Sequence, residues 1–183
     1  RQMAKSKFTT KSFWEALPPE YFRPRNIDPE CWLLYDTWRD LASEWLQECQ
    51  AFNDWVPYGW GDKIFEKRWS CFPTDEKLPI INEWFKLHPQ YHKPEVMKLD
   101  PGGVIPPHSH DYKPDAPDWL YNMALNYPDG CKFGVYPCGI IPYKPGEVYK
   151  LKVYNDHCVV NNSNEIRYHI VFKQGIDDAI TVS

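Results

Sequence analysis

The chain has 183 residues, enough for one domain with a sizeable core, and its 21 Lys and Arg against 25 Asp and Glu leave a net charge of -4. Acidic residues interrupt the short basic runs, Lys63 to Arg68 for instance, so these read as solvated faces, and a phosphate-tracking nucleic-acid surface, which needs clustered cations, is excluded. No stretch approaches the run of about 20 apolar residues that spans a bilayer, so no membrane partner is expected.

In chain order, the polar and basic start Arg1 to Thr10 has no apolar stretch and does not read as a secretory signal, so a cytoplasmic protein is expected. Asp28-Pro29-Glu30 is a helix start: an Asp cap, a Pro in the first turn and an acidic residue after it. From there to about Gln50, Trp32, Leu33, Tyr35, Trp38, Leu41, Trp45 and Leu46 fall near helical spacing, predicting one long amphipathic helix. Val56-Pro57-Tyr58-Gly59-Trp60-Gly61 reads as a loop, and a second helix is predicted from about Asp75 to Leu87 with Ile80, Ile81, Trp84 and Phe85 inward. Eight of the nine Trp precede residue 90; their faces are expected to be core, the alternative being a surface for a ligand or partner protein around Trp38 to Trp45.

At about Lys93-Pro94 helical periodicity gives way to short β-rich runs: Val96 to Leu99, Gly103 to Pro107, Trp119 to Asn126, Cys131 to Tyr136, Val148 to Val153, His157 to Asn161 and Ile166 to Phe172. Turns such as Asp100-Pro101-Gly102-Gly103 and Pro128-Asp129-Gly130 punctuate them, the pattern of a barrel or double-sheet jelly roll. The expected fold is mainly β with a helical N-terminal part, residues 1–92 packing on a barrel of residues 93–183. Six cysteines without a CxxC pair are expected to be mostly reduced thiols, and the sequon Asn161-Asn162-Ser163 is expected to be accidental.

Four of the six histidines lie in the β half. In His108-Ser109-His110, residues i and i+2 of a strand share a face, so the two imidazoles can converge. His157 opens another predicted strand 49 residues later, and imidazoles with an open position suit Fe, Cu, Ni or Zn. Further on, Arg167 and His169 share one strand face while Tyr168, Ile170 and Phe172 share the other. A buried Arg opposite a metal needs an anionic partner, and its planar guanidinium suits a carboxylate.

The block Pro101-Gly102-Gly103, Pro107-His108, Met123-Ala124-Leu125, Asp129-Gly130-Cys131-Lys132, Pro145-Gly146-Glu147 and His157 to Arg167 resembles the aspartyl/asparaginyl β-hydroxylase group of Fe(II)/2-oxoglutarate dioxygenases over about residues 95 to 173. The resemblance implies a double-stranded β-helix, with His108 and His157 as iron ligands and Arg167 as the partner of the distal carboxylate of 2-oxoglutarate. It implies His169 beside the cosubstrate and an Asp or Asn side chain, in a peptide or free amino acid, as substrate. Two positions depart from the wider superfamily. His110 stands where most of these enzymes have an acid, as a third ligand, a neighbouring base or an exposed residue. Asn122 stands where a basic cosubstrate partner is usual. Trp119, Tyr121 and Asn122 are candidate pocket residues. Gly102, His108, His110, His157 and Asn161 also fit parts of the cupin motifs, with Asp115 the nearest acid; that reading is a metal enzyme without 2-oxoglutarate. A non-catalytic barrel is the further alternative.

Overall fold

The structure, a computed structural model, describes residues 30–71, 76–110, 119–136 and 138–174. The elements are β1 (Trp32–Thr37), α1 (Arg39–Ala51), β2 (Val56–Trp60), β3 (Lys63–Ser70), α2 (Pro79–Leu87), β4 (Tyr91–Leu99), β5 (Val104–His108), β6 (Trp119–Ala124), β7 (Cys131–Val135), β8 (Gly139–Ile140), β9 (Glu147–Lys152), β10 (His157–Asn161) and β11 (Arg167–Gln174). Two antiparallel sheets face each other. The larger has the order β1-β9-β6-β11-β4-β3-β2 and the smaller β5-β10-β7-β8.

Alternation along the central strands makes two cores. On β11, Tyr168, Ile170 and Phe172 face outward and join Met123, Val148 and Val96 under the helices, where Ala42, Trp45, Cys49, Ile81 and Phe85 cover them. Aromatic rings carry much of this layer: Phe172 stacks on Tyr121 at 5.2 Å and on Trp38 at 5.7 Å between centroids. Inward-facing Leu99, Ile105, Ala124, Phe133, Leu151 and Val159 form the second core between the sheets. Trp38 and Trp45 are thus packed against the sheet, as expected of core residues.

Two expectations are corrected. Trp32–Thr37 is a strand, and the helix begins only at Arg39. A short apolar run fits helical spacing and an extended edge equally well; here Trp, Tyr and Thr favour the pleat, and pairing with β9 satisfies the backbone. The proposed cap at Asp28-Pro29 lies outside the described residues. Val56–Trp60 is no loop but the edge strand of a hairpin with β3. An edge tolerates Pro57, and Gly59 sits where the register shifts; a Cβ there would meet Lys63 O at 1.7 Å. The cysteines are mostly free thiols, as expected: Cys49, Cys71, Cys131 and Cys158 are buried and free, while Cys31 and Cys138 form a disulfide.

α2 starts at Pro79, four residues after the expected start, with Phe72 to Asp75 outside the described residues. Its first backbone N–H groups find their acceptor in another helix, since Glu48 of α1 receives Ile80 N at 2.7 Å and Ile81 N at 2.9 Å. The expected division at residue 92 falls inside β4, and β1, β2 and β3 all join the larger sheet. Asn161 of the sequon is fully buried and donates to Leu99 O and Glu165 O, so its side chain is a turn-former.

Gly146 closes the turn before β9 with φ of 89°, and a Cβ there would stand 2.7 Å from Arg39 Cα. Its carbonyl accepts Trp38 N–H at 2.6 Å, tying this turn to the junction of β1 and α1. Gly146→Ala is therefore expected to destabilise the fold by at least about 2 kcal/mol in urea unfolding.

Candidate metal centre and anion pocket

His108 ends β5 and His157 opens β10, and the two are direct partners in the antiparallel register. Their rings are 4.3 Å apart, and His110 comes in at 5.2 Å from His157 and 5.8 Å from His108. One nitrogen from each ring lies within 4.8 Å of the others, with His157 buried, His108 half-buried and His110 exposed at the rim.

Two backbone carbonyls decide which nitrogens face the cavity. His108 Nδ1 lies 2.8 Å from Pro106 O, and His157 Nδ1 lies 2.8 Å from Asn155 O. A carbonyl only accepts, so each Nδ1 carries the proton and each Nε2 keeps its lone pair for a metal. Asn155 is itself placed by the disulfide, its Nδ2 lying 3.5 Å from Cys31 Sγ. Trp60 of the β2–β3 hairpin packs on His108 at 4.9 Å, and Phe133 stacks on His157 at 6.2 Å.

Burial pushes the His157 pKa well below its ordinary 6.5, helped by the neighbouring His108 and His110. Burial also lowers His108, against the Pro106 carbonyl that favours its charged form. His169 is lowered strongly by burial and then by Arg167. These imidazoles are neutral near neutrality, the form that ligates metals. A native pKa below the unfolded value of 6.5 means that the unfolded chain binds more protons between the two values. The metal-free protein is thus expected to lose stability steadily as pH falls below about 6.5. Melting between pH 8 and 5 checks this: a Tm that rises on acidification contradicts it.

Beyond Phe133 lies a second cluster. Arg167 is buried at 1% exposure, its guanidinium carbon 5.8 Å from the centre of the Phe133 ring. Its Nε and Nη1, the hydroxyls of Tyr127 and Tyr143, and His169 Nδ1 are all buried without a hydrogen-bond partner among the described residues. Burial raises the pKa of both tyrosines while Arg167 pulls them down, so both hydroxyls stay protonated donors. His169 Nε2 donates to Asn122 Oδ1 at 2.9 Å, which leaves Nδ1 as an acceptor.

The structure thus brings His108, His157, His110, Arg167, His169 and Asn122 around one cavity of about 1470 Å³. Tyr121 is not among them: it belongs to the outer core, because odd-numbered positions of β6 face the helices. Trp119 lies against Lys152, 4.1 Å from its ring centre. Asp115 lies outside the described residues. The reading of the Lys63–Arg68 run as a solvated face fails at Arg68, which lines the cavity, while Lys67 faces outward to Asp100 at 3.5 Å. Tyr127 and Tyr143 were missed; an isolated Tyr in a turn carries no periodic signal, and only the fold assembles them around Arg167.

No protein-family model and no curated protein matches the chain. Solved structures do. A prolyl hydroxylase from Trichoplax adhaerens, in complex with a hypoxia inducible factor peptide fragment, matches with a TM-score of 0.61 at 12% identity over 85% of this chain and 88% of that one. A Pseudomonas putida prolyl-4-hydroxylase matches with a TM-score of 0.60 at 12% identity, over 79% of this chain and 92% of that one. The fold is the double-stranded β-helix. A 2OG-Fe(II) oxygenase family protein from Burkholderia pseudomallei shares it with a TM-score of 0.56 and 14% identity, over 84% of this chain and 93% of that one. In a double-stranded β-helix the space between the sheets opens at one end, and here the three imidazoles, Arg167 and His169 line that space. Among the described residues no helix is long and apolar enough to cross a membrane.

Proposed function

We propose that the chain is an Fe(II)/2-oxoglutarate-dependent dioxygenase that hydroxylates an Asp- or Asn-type side chain of a peptide or free amino acid. The observation that carries this reading is the orphaned polar cluster around Arg167. A buried guanidinium with idle donors is costly unless an anion meets it, and two idle hydroxyls beside it complete a carboxylate cradle. A ligand anchored there and reaching past Phe133 to the imidazoles needs a second anionic end, and a dicarboxylate keto acid has one. Bound iron and 2-oxoglutarate would couple oxidative decarboxylation to insertion of oxygen into a C–H bond.

His108 and His157 hold the metal through Nε2, their Nδ1 protons fixed on Pro106 O and Asn155 O, and His110 is the third donor, on the rim. Arg167, Tyr127 and Tyr143 grip the distal carboxylate. His169, oriented by Asn122, offers an acceptor beside them. The inner core excludes water from this end of the site. The cavity exceeds the roughly 300–1,000 Å³ of small-molecule sites, which favours a peptide, and one structural neighbour was solved with a peptide. A cytoplasmic setting belongs to the same proposal and requires the Cys31–Cys138 pair to persist in a reducing pool.

The test is an anaerobic titration of the metal-stripped protein with Fe(II) and 2-oxoglutarate, followed by visible absorbance. A charge-transfer band that needs both components is expected. Iron binding without such a band favours a metal enzyme that does not use 2-oxoglutarate, and no binding of either contradicts the enzyme reading.

A further inference from the structure

A second polar group lines the same cavity from β3 and β4. Glu66 and Arg68 alternate onto the inner face of β3, and Glu95 of β4 stands opposite Ser70 in the register. Arg68 is clamped on three sides. Its guanidinium carbon lies 3.6 Å above the Tyr58 ring, Nε donates to Glu66 Oε2 at 2.5 Å, and Nη1 donates to Glu95 Oε1 at 3.1 Å. Ser70 Oγ donates to the other Glu95 oxygen at 2.8 Å, so Glu95 cannot turn away. Among the described residues these bonds leave the Nη2 donors of Arg68 unused.

Glu66 is held just as firmly and is 4% exposed, yet its Oε1 meets no donor among the described residues. Packing of Trp60 on His108 sets the hairpin against the metal ligands, and the charge of Arg68 is felt at His108. An idle acceptor and idle donors therefore sit side by side on one strand face, locked to each other, in the cavity that holds the imidazoles.

We propose that Glu66 and Arg68 are specificity residues of this site and that they select an amide, whose carbonyl accepts from Arg68 while its N–H donates to Glu66 Oε1. A carboxylate would set oxygen lone pairs against Glu66, and an ammonium would set donors against Arg68. A primary carboxamide carries both functions on atoms joined through one carbon. The inference rests on the proposed hydroxylase reading and sharpens it: of the Asp- and Asn-type side chains, the pocket takes Asn.

The experiment uses protein loaded anaerobically with Fe(II) and 2-oxoglutarate and two capped alanine heptapeptides that differ only in a central Asn or Asp. Binding is read from tryptophan fluorescence and from perturbation of the visible band. The Asn peptide is expected to bind wild type at least about tenfold more tightly than the Asp peptide. In Glu66→Gln the side chain can donate to a carboxylate, so the ratio should level or reverse, read in protein that forms the band before peptide addition. Equal or absent binding of the two peptides by loaded wild type, or a preference for Asp, overturns the proposal, as does an unchanged ratio in folded Glu66→Gln. If that variant does not fold, the wild-type ratio decides alone. Failure of the hydroxylase reading shows separately, as absence of the band before any peptide is added.

Discussion

Replacing His157 with alanine should lower the affinity for Fe(II), or for Co(II) as a spectroscopic stand-in, by at least about a hundredfold. The expectation follows from where the residue sits. β10 lies between β5 and β7, so the imidazole is fixed by neighbours on both sides and by its Nδ1–H bond to Asn155 O. No other side chain of the cluster can take its place: in the proposed centre His108 is itself a ligand, and His110 is exposed at the rim. The substitution leaves Asn155 O without its donor, a loss worth about 1–3 kcal/mol of stability, so the variant should remain folded. His110→Ala, from an exposed ring, should cost much less, about tenfold. Isothermal titration with Co(II) separates the two, and His157→Ala binding metal as tightly as wild type would remove the metal centre from this account.

Arg167→Met should move binding and stability in opposite directions. Loss of the guanidinium removes the proposed charged partner of the distal carboxylate, so 2-oxoglutarate binding to the metal-loaded protein should weaken by about 10²-fold or more. The same substitution replaces a buried cation with idle donors by an apolar chain of similar length. Such replacements are neutral or stabilising by about 1–4 kcal/mol. The ligand-free variant should therefore melt at the same temperature as wild type or higher, while 2-oxoglutarate no longer raises its Tm. A variant that loses stability and still binds the cosubstrate would mean that Arg167 is a structural ion and that the carboxylate sits elsewhere.

The parts of the site that were legible in the sequence are those fixed by strand alternation. His108 with its partner strand, and Arg167 with His169 opposite Tyr168 and Ile170, follow from a period of two once the strands are placed. The helical layer over the sheet was legible for a related reason, since Trp45, Ile81 and Phe85 recur at helical spacing. What was lost lies at sheet edges and in turns. β1 and β2 are edge strands whose short apolar runs, interrupted in β2 by Pro57 and Gly59, carry no unambiguous period. The hairpin that presents Arg68 and Trp60 to the cavity was hidden with them. Tyr127, Tyr143 and the pairing of Cys31 with Cys138 depend on contacts between residues far apart in sequence, which local pattern does not encode.

The order of strands in space runs against the order of synthesis. β9, β10 and β11 are made last, yet each sits inside a sheet: β9 between β1 and β6, β10 between β5 and β7, and β11 between β6 and β4. A nascent chain that has emerged only as far as β8 has His108 and His110 but no strand to bring them a third imidazole, and its two sheets are split open along their middles. Neither half of the site exists at that stage, because His157 and Arg167 travel on the missing strands. The proposed iron centre therefore cannot assemble before both β10 and β11, which join different sheets, have been added, and a chain cut short of them could not start oxygen chemistry on itself.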